Sequence, residues 1–284
     1  MRVRSISAAV IAVVAVAAAS SVSSQGERPA SPRAAPAVSP VTDALSALSK
    51  DRRNAPVRGR AGYTWRVGPG RTPLAAIWVA GEFDAGVATH DDQWENGADV
   101  FLEVTATGGS PVDVAHQTLT RDSRSFVVRL PAGGGVGPGE YDVRFTAKAS
   151  GGSLGSTETL HVMVPKVAAG EEPLVGQSMV FRRGPFTGLA WVPAGDLRFR
   201  RQEHVKVETA VVGAAAPATI RLLDRTGSAL PLPVASSEHD EGGCRIVSGE
   251  VTLAPLSAGD YLLETTVTSG ATTCRALAAF RIVP

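Results

Sequence analysis

Glycine, an acidic residue and tyrosine in immediate succession open an alternating strand twice in this chain. Residues 138–145 read PGEYDVRF and residues 258–265 read AGDYLLET, and the third tyrosine is Tyr63. A tyrosine at such a corner returns its hydroxyl to the backbone a few residues upstream, pinning the crossover between the two sheets of a β-sandwich. Tyr141 and Tyr261 are 120 positions apart, which is one sandwich domain's length, so the pattern predicts two such domains.

From Gly62 onward, short β-like runs are separated by Gly, Pro, Asn and Asp. Strands are expected near 62–67, 74–80, 99–106, 111–117, 124–130, 140–148 and 157–164. Seven strands at this spacing suit an Ig-like or fibronectin-III-like sandwich. Tyr141, Val143, Phe145 and Ala147 alternate with Asp142, Arg144, Thr146 and Lys148, so one face is apolar. That is the signature of a half-buried antiparallel strand. A second set is expected near 175–182, 196–200, 205–212, 218–224, 244–254, 260–268 and 273–283, after a short connection at 166–173.

The N-terminus has a different character. A basic MRVR is followed by the apolar run 6–19 and then by small residues, which reads as a secretory signal peptide over residues 1–23. The run is shorter than the roughly 20 residues a membrane span needs. Residues 24–60 combine Pro29, Pro32, Pro36, Pro40 and Pro56 with Ala, Ser and Arg. Such a segment cannot bury enough apolar area to offset chain ordering, so a flexible linker is expected. Within it, 43–50 could form one or two helical turns with Leu45 and Leu48 on one side, too short to be stable alone.

Cys244 and Cys274 are the only cysteines. An isolated pair within one exported domain predicts a disulfide. With 28 basic and 27 acidic residues, the chain carries no global field for nucleic acid or an anionic membrane surface.

The repetition extends beyond the tyrosines. WVAGEF at 78–83 is echoed by WVPAGDL at 191–197, and Trp-to-Tyr separations of 63 and 70 suggest duplication of one domain type. Trp78 and Trp191 are each expected to fill a sandwich core.

Chemistry-bearing clusters are few. The loop 89–99 holds Asp91, Asp92, Glu95, Asn96 and Asp99, hard oxygen donors of the kind calcium takes. In an EF-hand register, however, position three is Trp94 and Glu103 falls in a strand, so a solvated loop is expected. The glycine run 133–139 lacks a P-loop lysine and leads into the Tyr141 strand, so it reads as a crossover loop. His90, His116, His161, His204 and His239 are scattered, with neither HExxH nor GxSxG. No catalytic, cofactor or metal residue is assigned. Arg198, Arg200 and Arg201 make the start of the second domain locally basic and form the candidate partner surface, with Arg198 and Arg200 sharing one strand face.

LAPLSAGDYLLETTV (253–267) resembles the fibronectin-III pattern of Leu-x-Pro, Gly-x-Tyr and an alternating strand. Residues 172–283 also resemble the β-rich C-terminal tails that follow von Willebrand factor A-like domains in some exported bacterial proteins of unknown function. The resemblance rests on VFRRGPFTG (180–188), DLRFRR (196–201) and LAPLSAGDYLLE (253–264). It continues upstream through WVAGEFD (78–84) and PGEYDVRF (138–145). It implies a β-rich exported module and transfers no catalytic or binding residue.

The sequence therefore predicts an all-β protein of two tandem Ig-like or fibronectin-III-like sandwiches, 61–165 and 174–284, behind a signal peptide and a disordered linker. It is read as secreted or periplasmic, non-catalytic, without a cofactor and without a membrane span once the leader is removed. Its expected role is binding another protein through sandwich loops or strand edges. A carbohydrate-binding module is the alternative, and an extracytoplasmic enzyme the third reading.

Overall fold

The computed structural model describes residues 39–49, 56–83, 96–120, 122–150, 155–167, 173–185, 187, 190–213 and 217–284. The expected signal peptide, the linker up to residue 38, and Asp91, Asp92, Trp94 and Glu95 of the acidic loop lie outside these residues.

The chain is all-β, built as two sandwiches. In the first, β1 (Val57–Val67), β2 (Pro73–Phe83) and β5 (Ser125–Leu130) form sheet A in the order β1-β2-β5. Facing it is sheet B, ordered β4-β3-β6-β7, from β3 (Ala98–Ala106), β4 (Pro111–Leu119), β6 (Gly139–Ala149) and β7 (Gly155–Val164). Val100, Leu102, Val104, Val143, Phe145 and Val162 point into the core between the sheets, while Phe101, Glu103, Arg144 and Met163 face outward. The glycine run is the crossover from β5 to β6, held by the Val136 amide donating to Ala75 O at 2.8 Å.

In the second sandwich, sheet C contains β8 (Leu174–Val175), β9 (Met179–Arg183), β10 (Val192–Pro193), β12 (His204–Val212), β14 (Ala235–Glu241) and β15 (Cys244–Thr252). Its order is β10-β9-β12-β15-β14, with β8 also pairing to β12. Sheet D is β11-β17-β16-β13, from β11 (Arg198–Arg200), β13 (Ala218–Asp224), β16 (Gly259–Ser269) and β17 (Thr272–Val283). β11 runs parallel to β17, and the other pairings are antiparallel. Besides the additional short strands of the second sandwich, the two differ in where one strand lies. β14 stays beside β15 as in the constant-type immunoglobulin order, whereas in the first sandwich β4 pairs with β3 in the opposite sheet.

Two coverings break the half-buried pattern. Sheet A is covered on both faces, and residues 75–81 of β2 are buried without alternation. Ala75, Ile77 and Val79 face sheet B, whereas Trp78 and Ala80 pack with Met179 and Phe181 of β9. The first core runs on into Leu174, Ala210, Val212, Cys244 and Ile246 of the second sandwich.

The outer face of sheet D is covered by α1 (Pro40–Ser49), which packs Val41, Ala44, Leu45 and Leu48 against Leu197, Leu223, Leu262 and Ala279. This helix and the first residues of β1 fall inside 24–60, where composition predicted a flexible linker. The four apolar residues recur at i, i+3, i+4 and i+7, the spacing of one helix face. A ten-residue helix is unstable alone in water and is supported here by tertiary packing. No helix among the described residues is long and apolar enough to cross a membrane.

Candidate functional site

The densest polar chemistry lies where β1 and β2 meet the first strands of the second sandwich. Alternation along β2 turns Glu82 to the same side as Trp78 and Ala80, toward sheet C. Its Oε2 accepts the main-chain N–H of both Gly195 and Asp196 at 3.0 Å, and its Oε1 lies 2.9 Å from Arg182 Nε. Arg182 Nη1 donates to Glu203 Oε1 at 3.1 Å, while Nη2 donates to the carbonyls of Asp196 and Arg198. The Arg182 guanidinium also sits 4.6 Å from the centre of the Phe199 ring. Glu203 Oε2 in turn accepts the Arg200 amide at 2.6 Å.

Beside this chain of bonds, Asp196 pairs with Arg58 Nη1 at 3.1 Å and with Arg198 Nη2 at 2.9 Å, and accepts the Arg198 amide at 3.0 Å. Arg60 Nε reaches Gly195 O at 3.2 Å, and its Nη1 reaches Ala47 O near the end of α1 at 3.1 Å. Gly195 is required by close approach. A Cβ there would stand 2.2 Å from Arg58 O and 2.7 Å from the Glu82 amide nitrogen.

Burial raises the Glu82 carboxyl above its ordinary value, against the pull of the Arg182 guanidinium and the Asp196 N–H. Burial also pushes Asp196 upward, but its bonds from Arg198 and the charge of Arg58 outweigh it and hold the carboxyl below its usual range. Buried charges are tolerated only when paired and hydrogen-bonded, which is the arrangement found. The seam's carboxylates are taken up by arginines and main-chain N–H groups, an arrangement that ties the two sandwiches together.

Further along β1, the Tyr63 hydroxyl donates to Val175 O at 3.4 Å, and its N–H donates to Gln177 Oε1 at 3.1 Å. At the far end Cys244 Sγ donates to Trp65 O at 3.1 Å, and a Cβ on Gly243 would stand 3.1 Å from Val67 Cβ. β1 thus crosses the strands of sheet C in succession.

The corner tyrosines occupy equivalent strands. Tyr141, on β6, donates to Gly137 O at 2.8 Å, and Tyr261, on β16, donates to Ser257 O at 3.0 Å. The tryptophan motifs are not equivalent. Trp78 fills the space between sheets A and C and not a sandwich core. Trp191 is half-exposed ahead of β10, with the Arg183 and Lys206 cations 4.6 and 5.2 Å from its ring centre. The reason is that WVAGEF lies in a strand covered on both sides, whereas WVPAGDL forms an edge and turn. The two segments clasp each other through Glu82, Gly195 and Asp196.

No disulfide joins Cys244 and Cys274. Cys244 lies in sheet C, turned toward β1, and Cys274 lies in sheet D, with its thiol donating to Pro173 O at 3.3 Å. Burial pushes the Cys244 thiol up, which keeps it protonated.

The three arginines of the expected basic surface are divided. Arg198 is half-buried and bonded to Asp196, and Arg201 donates to Ala254 O. Arg200 and Arg201, with Gln202, Ala254 and Pro284, line an open depression of about 590 Å³. Two histidines pair with carboxylates on the outer face of sheet B: His116 with Asp99 at 3.3 Å and His161 with Asp142 at 2.6 Å. Among the described residues no group of three or more His, Cys, Asp or Glu could hold a metal ion.

Sequence reasoning missed Glu82, Arg58, Arg182 and Glu203 as a set, because they are far apart in the chain. The available signal was the recurrence of Gly plus an acidic residue after each Trp-Val.

No family model matches the sequence, and no curated protein matches it. Among solved structures it is similar to a titin fragment, with 12% identity and a TM-score of 0.23, covering 67% of this chain and 92% of the other. It is also similar to titin Ig tandem domains, with 9% identity and a TM-score of 0.22, covering 80% and 98% respectively.

Proposed function

We propose that this protein is an exported, non-catalytic scaffold that binds another protein, holding two sandwiches in one fixed orientation. The observation that carries this reading is the seam. Glu82, Arg182, Asp196 and Arg58 are paired between the sandwiches, beside a core that runs from one into the other. Tandem domains joined by a small polar interface move against each other by default. Here the shared core and buried charge network oppose that motion, so surfaces on the two sandwiches are presented at a constant separation.

The basic–apolar–small pattern of residues 1–23 supports export to the periplasm or beyond. The resemblance of residues 172–283 to tails of exported bacterial proteins agrees with that address. Of the residues in the resembling motifs, Glu82, Arg182 and Asp196 take part in the seam.

The test is cross-linking of the full chain to envelope proteins, read by mass spectrometry, beside small-angle scattering. One rigid two-sandwich particle with cross-links to a single protein is expected. Scattering that requires independently moving sandwiches, or retention on a glycan array without any protein partner, would overturn the reading.

A further inference from the structure

β14 is a seven-residue strand at the edge of sheet C, and every residue of it is exposed. It is bonded to β15 on one side, with Ala235 opposite Glu250 and Glu241 opposite Cys244. The two strands are joined by Gly242 and Gly243, whose φ values of 59° and 81° suit a two-residue type I′ turn. In such a hairpin the residues flanking the turn exchange hydrogen bonds, and bonded and non-bonded pairs then alternate. Glu241, His239, Ser237 and Ala235 therefore point their backbone groups at β15. Ser236, Glu238 and Asp240 point theirs away from the sheet. That row of donors and acceptors is a template for a further strand.

The edge is also held in place. Arg129 of β5 pairs with Glu241 at 3.0 Å, and Arg245 pairs with Glu238 at 3.3 Å. A partner strand would meet a preorganised edge, which lowers the ordering cost of binding. Its charge selects the occupant. Glu238, Asp240 and Glu241 lie within four consecutive residues, and Asp240 makes no ion pair among the described residues. Two copies of β14 laid side by side would set carboxylates against carboxylates, and like charges on adjacent strands are unfavourable. Self-pairing is therefore discouraged and a basic strand is favoured.

We infer that β14 is a docking edge for an extended, lysine- or arginine-bearing segment of a partner protein, which adds to sheet C by pairing with Ser236, Glu238 and Asp240. This inference rests on the protein-binding reading above and gives it a place.

The test uses the full chain and two fluorescent seven-residue peptides, one alternating lysine with valine and one alternating glutamate with valine. Anisotropy should show the lysine peptide binding at least tenfold more tightly, and the difference should shrink in 1 M salt. Amide exchange of Ser236, Glu238 and Asp240 should slow on binding. Glu238→Pro removes an N–H that the hairpin does not use, so the fold should persist while peptide binding is lost. Ser236→Pro provides a second variant of the same design, and Glu238→Gln should keep most of the binding. Equal binding by both proline variants, or slowed exchange confined to another strand, would overturn the inference. So would edge protection that grows with protein concentration without peptide, because the occupant would then be a second copy. Proline variants that still cross-link to the same envelope protein as the unaltered chain would leave the scaffold reading intact and remove β14 as its edge.

Discussion

Glu82 accepts the main-chain N–H of Asp196 at 3.0 Å, a bond spanning 114 residues and joining two copies of one short motif. Each copy, WVAGEF and WVPAGDL, would be unremarkable alone. Together they place a carboxylate against the turn of the other sandwich and next to Arg182. The bond gives the seam its directionality, since Glu82 both neutralises an arginine and caps two backbone donors.

Breaking this arrangement from one side should be costly. Glu82→Ala leaves Arg182 short of one carboxylate and two amides without their acceptor, and should destabilise the chain by about 3–5 kcal/mol. Arg182→Ala should cost a similar amount. The double variant should cost less than the sum, by about 0.5–3 kcal/mol, because the groups share one network. Denaturant melts of the four proteins measure this, and strict additivity would show that the two residues act independently.

The corner tyrosines give smaller effects of unequal size. Tyr141→Phe and Tyr261→Phe should each lose about 1 kcal/mol, the net worth of one hydrogen bond. The loss should be greater at Tyr141, which is buried, than at Tyr261, which is half-exposed. Chemical denaturation checks both, and a neutral Phe at Tyr141 would reduce that residue to an apolar filler.

The two seam carboxylates should respond to pH in opposite directions. Burial raises Glu82 above its ordinary 4.5, so between that value and its folded one the folded chain binds a proton that the unfolded chain releases, and above it Glu82 is the carboxylate that faces Arg182. Its contribution is fully present below 4.5 and is lost as pH rises through the folded value. Asp196 is depressed below its ordinary 3.8, so its contribution is present above that value and is lost as pH falls through the folded one. Stability profiles between pH 2 and 7 should therefore show Glu82→Gln gaining on the unaltered chain as pH rises. Asp196→Asn should lose on it over the same rise. Parallel profiles for all three proteins would contradict both assignments.

Both cysteines should be thiols that denaturation exposes. Thiol titration should detect two per chain in denaturant, and Cys244, buried and hydrogen-bonded to Trp65 O, should react slowly in the native state. Loss of both thiols in non-reduced, denatured protein would restore the disulfide that the sequence predicts.

Leu48→Ala should destabilise the second sandwich by about 2–5 kcal/mol, the range for removing a buried leucine side chain. Leu48 is 3% exposed, and Leu262 beneath it is fully buried. Limited proteolysis around residues 40–49 should quicken in step. An unchanged melt would mean that α1 does not stay docked on sheet D.

What the sequence determined by itself was local. Period-two alternation after Tyr141, turn residues at regular intervals and the repeated Gly-acid-Tyr corner were enough for strands and two sandwiches, since each depends on residues near one another in the chain. The tertiary structure alone decided which faces were covered twice. Trp78 reads as core in either arrangement, and only the position of Met179 and Phe181 shows it lying between the sandwiches. Arg198 reads as exposed charge until Asp196 is found against it, two residues away but turned toward Arg58. Cys244 and Cys274 share a domain in sequence, yet one turns toward β1 and the other toward Pro173, because strand position, not chain separation, sets where a side chain points. Alternation reports that a face is buried. It carries no information about the partner, because burial depends on area removed from water and not on which residue removes it.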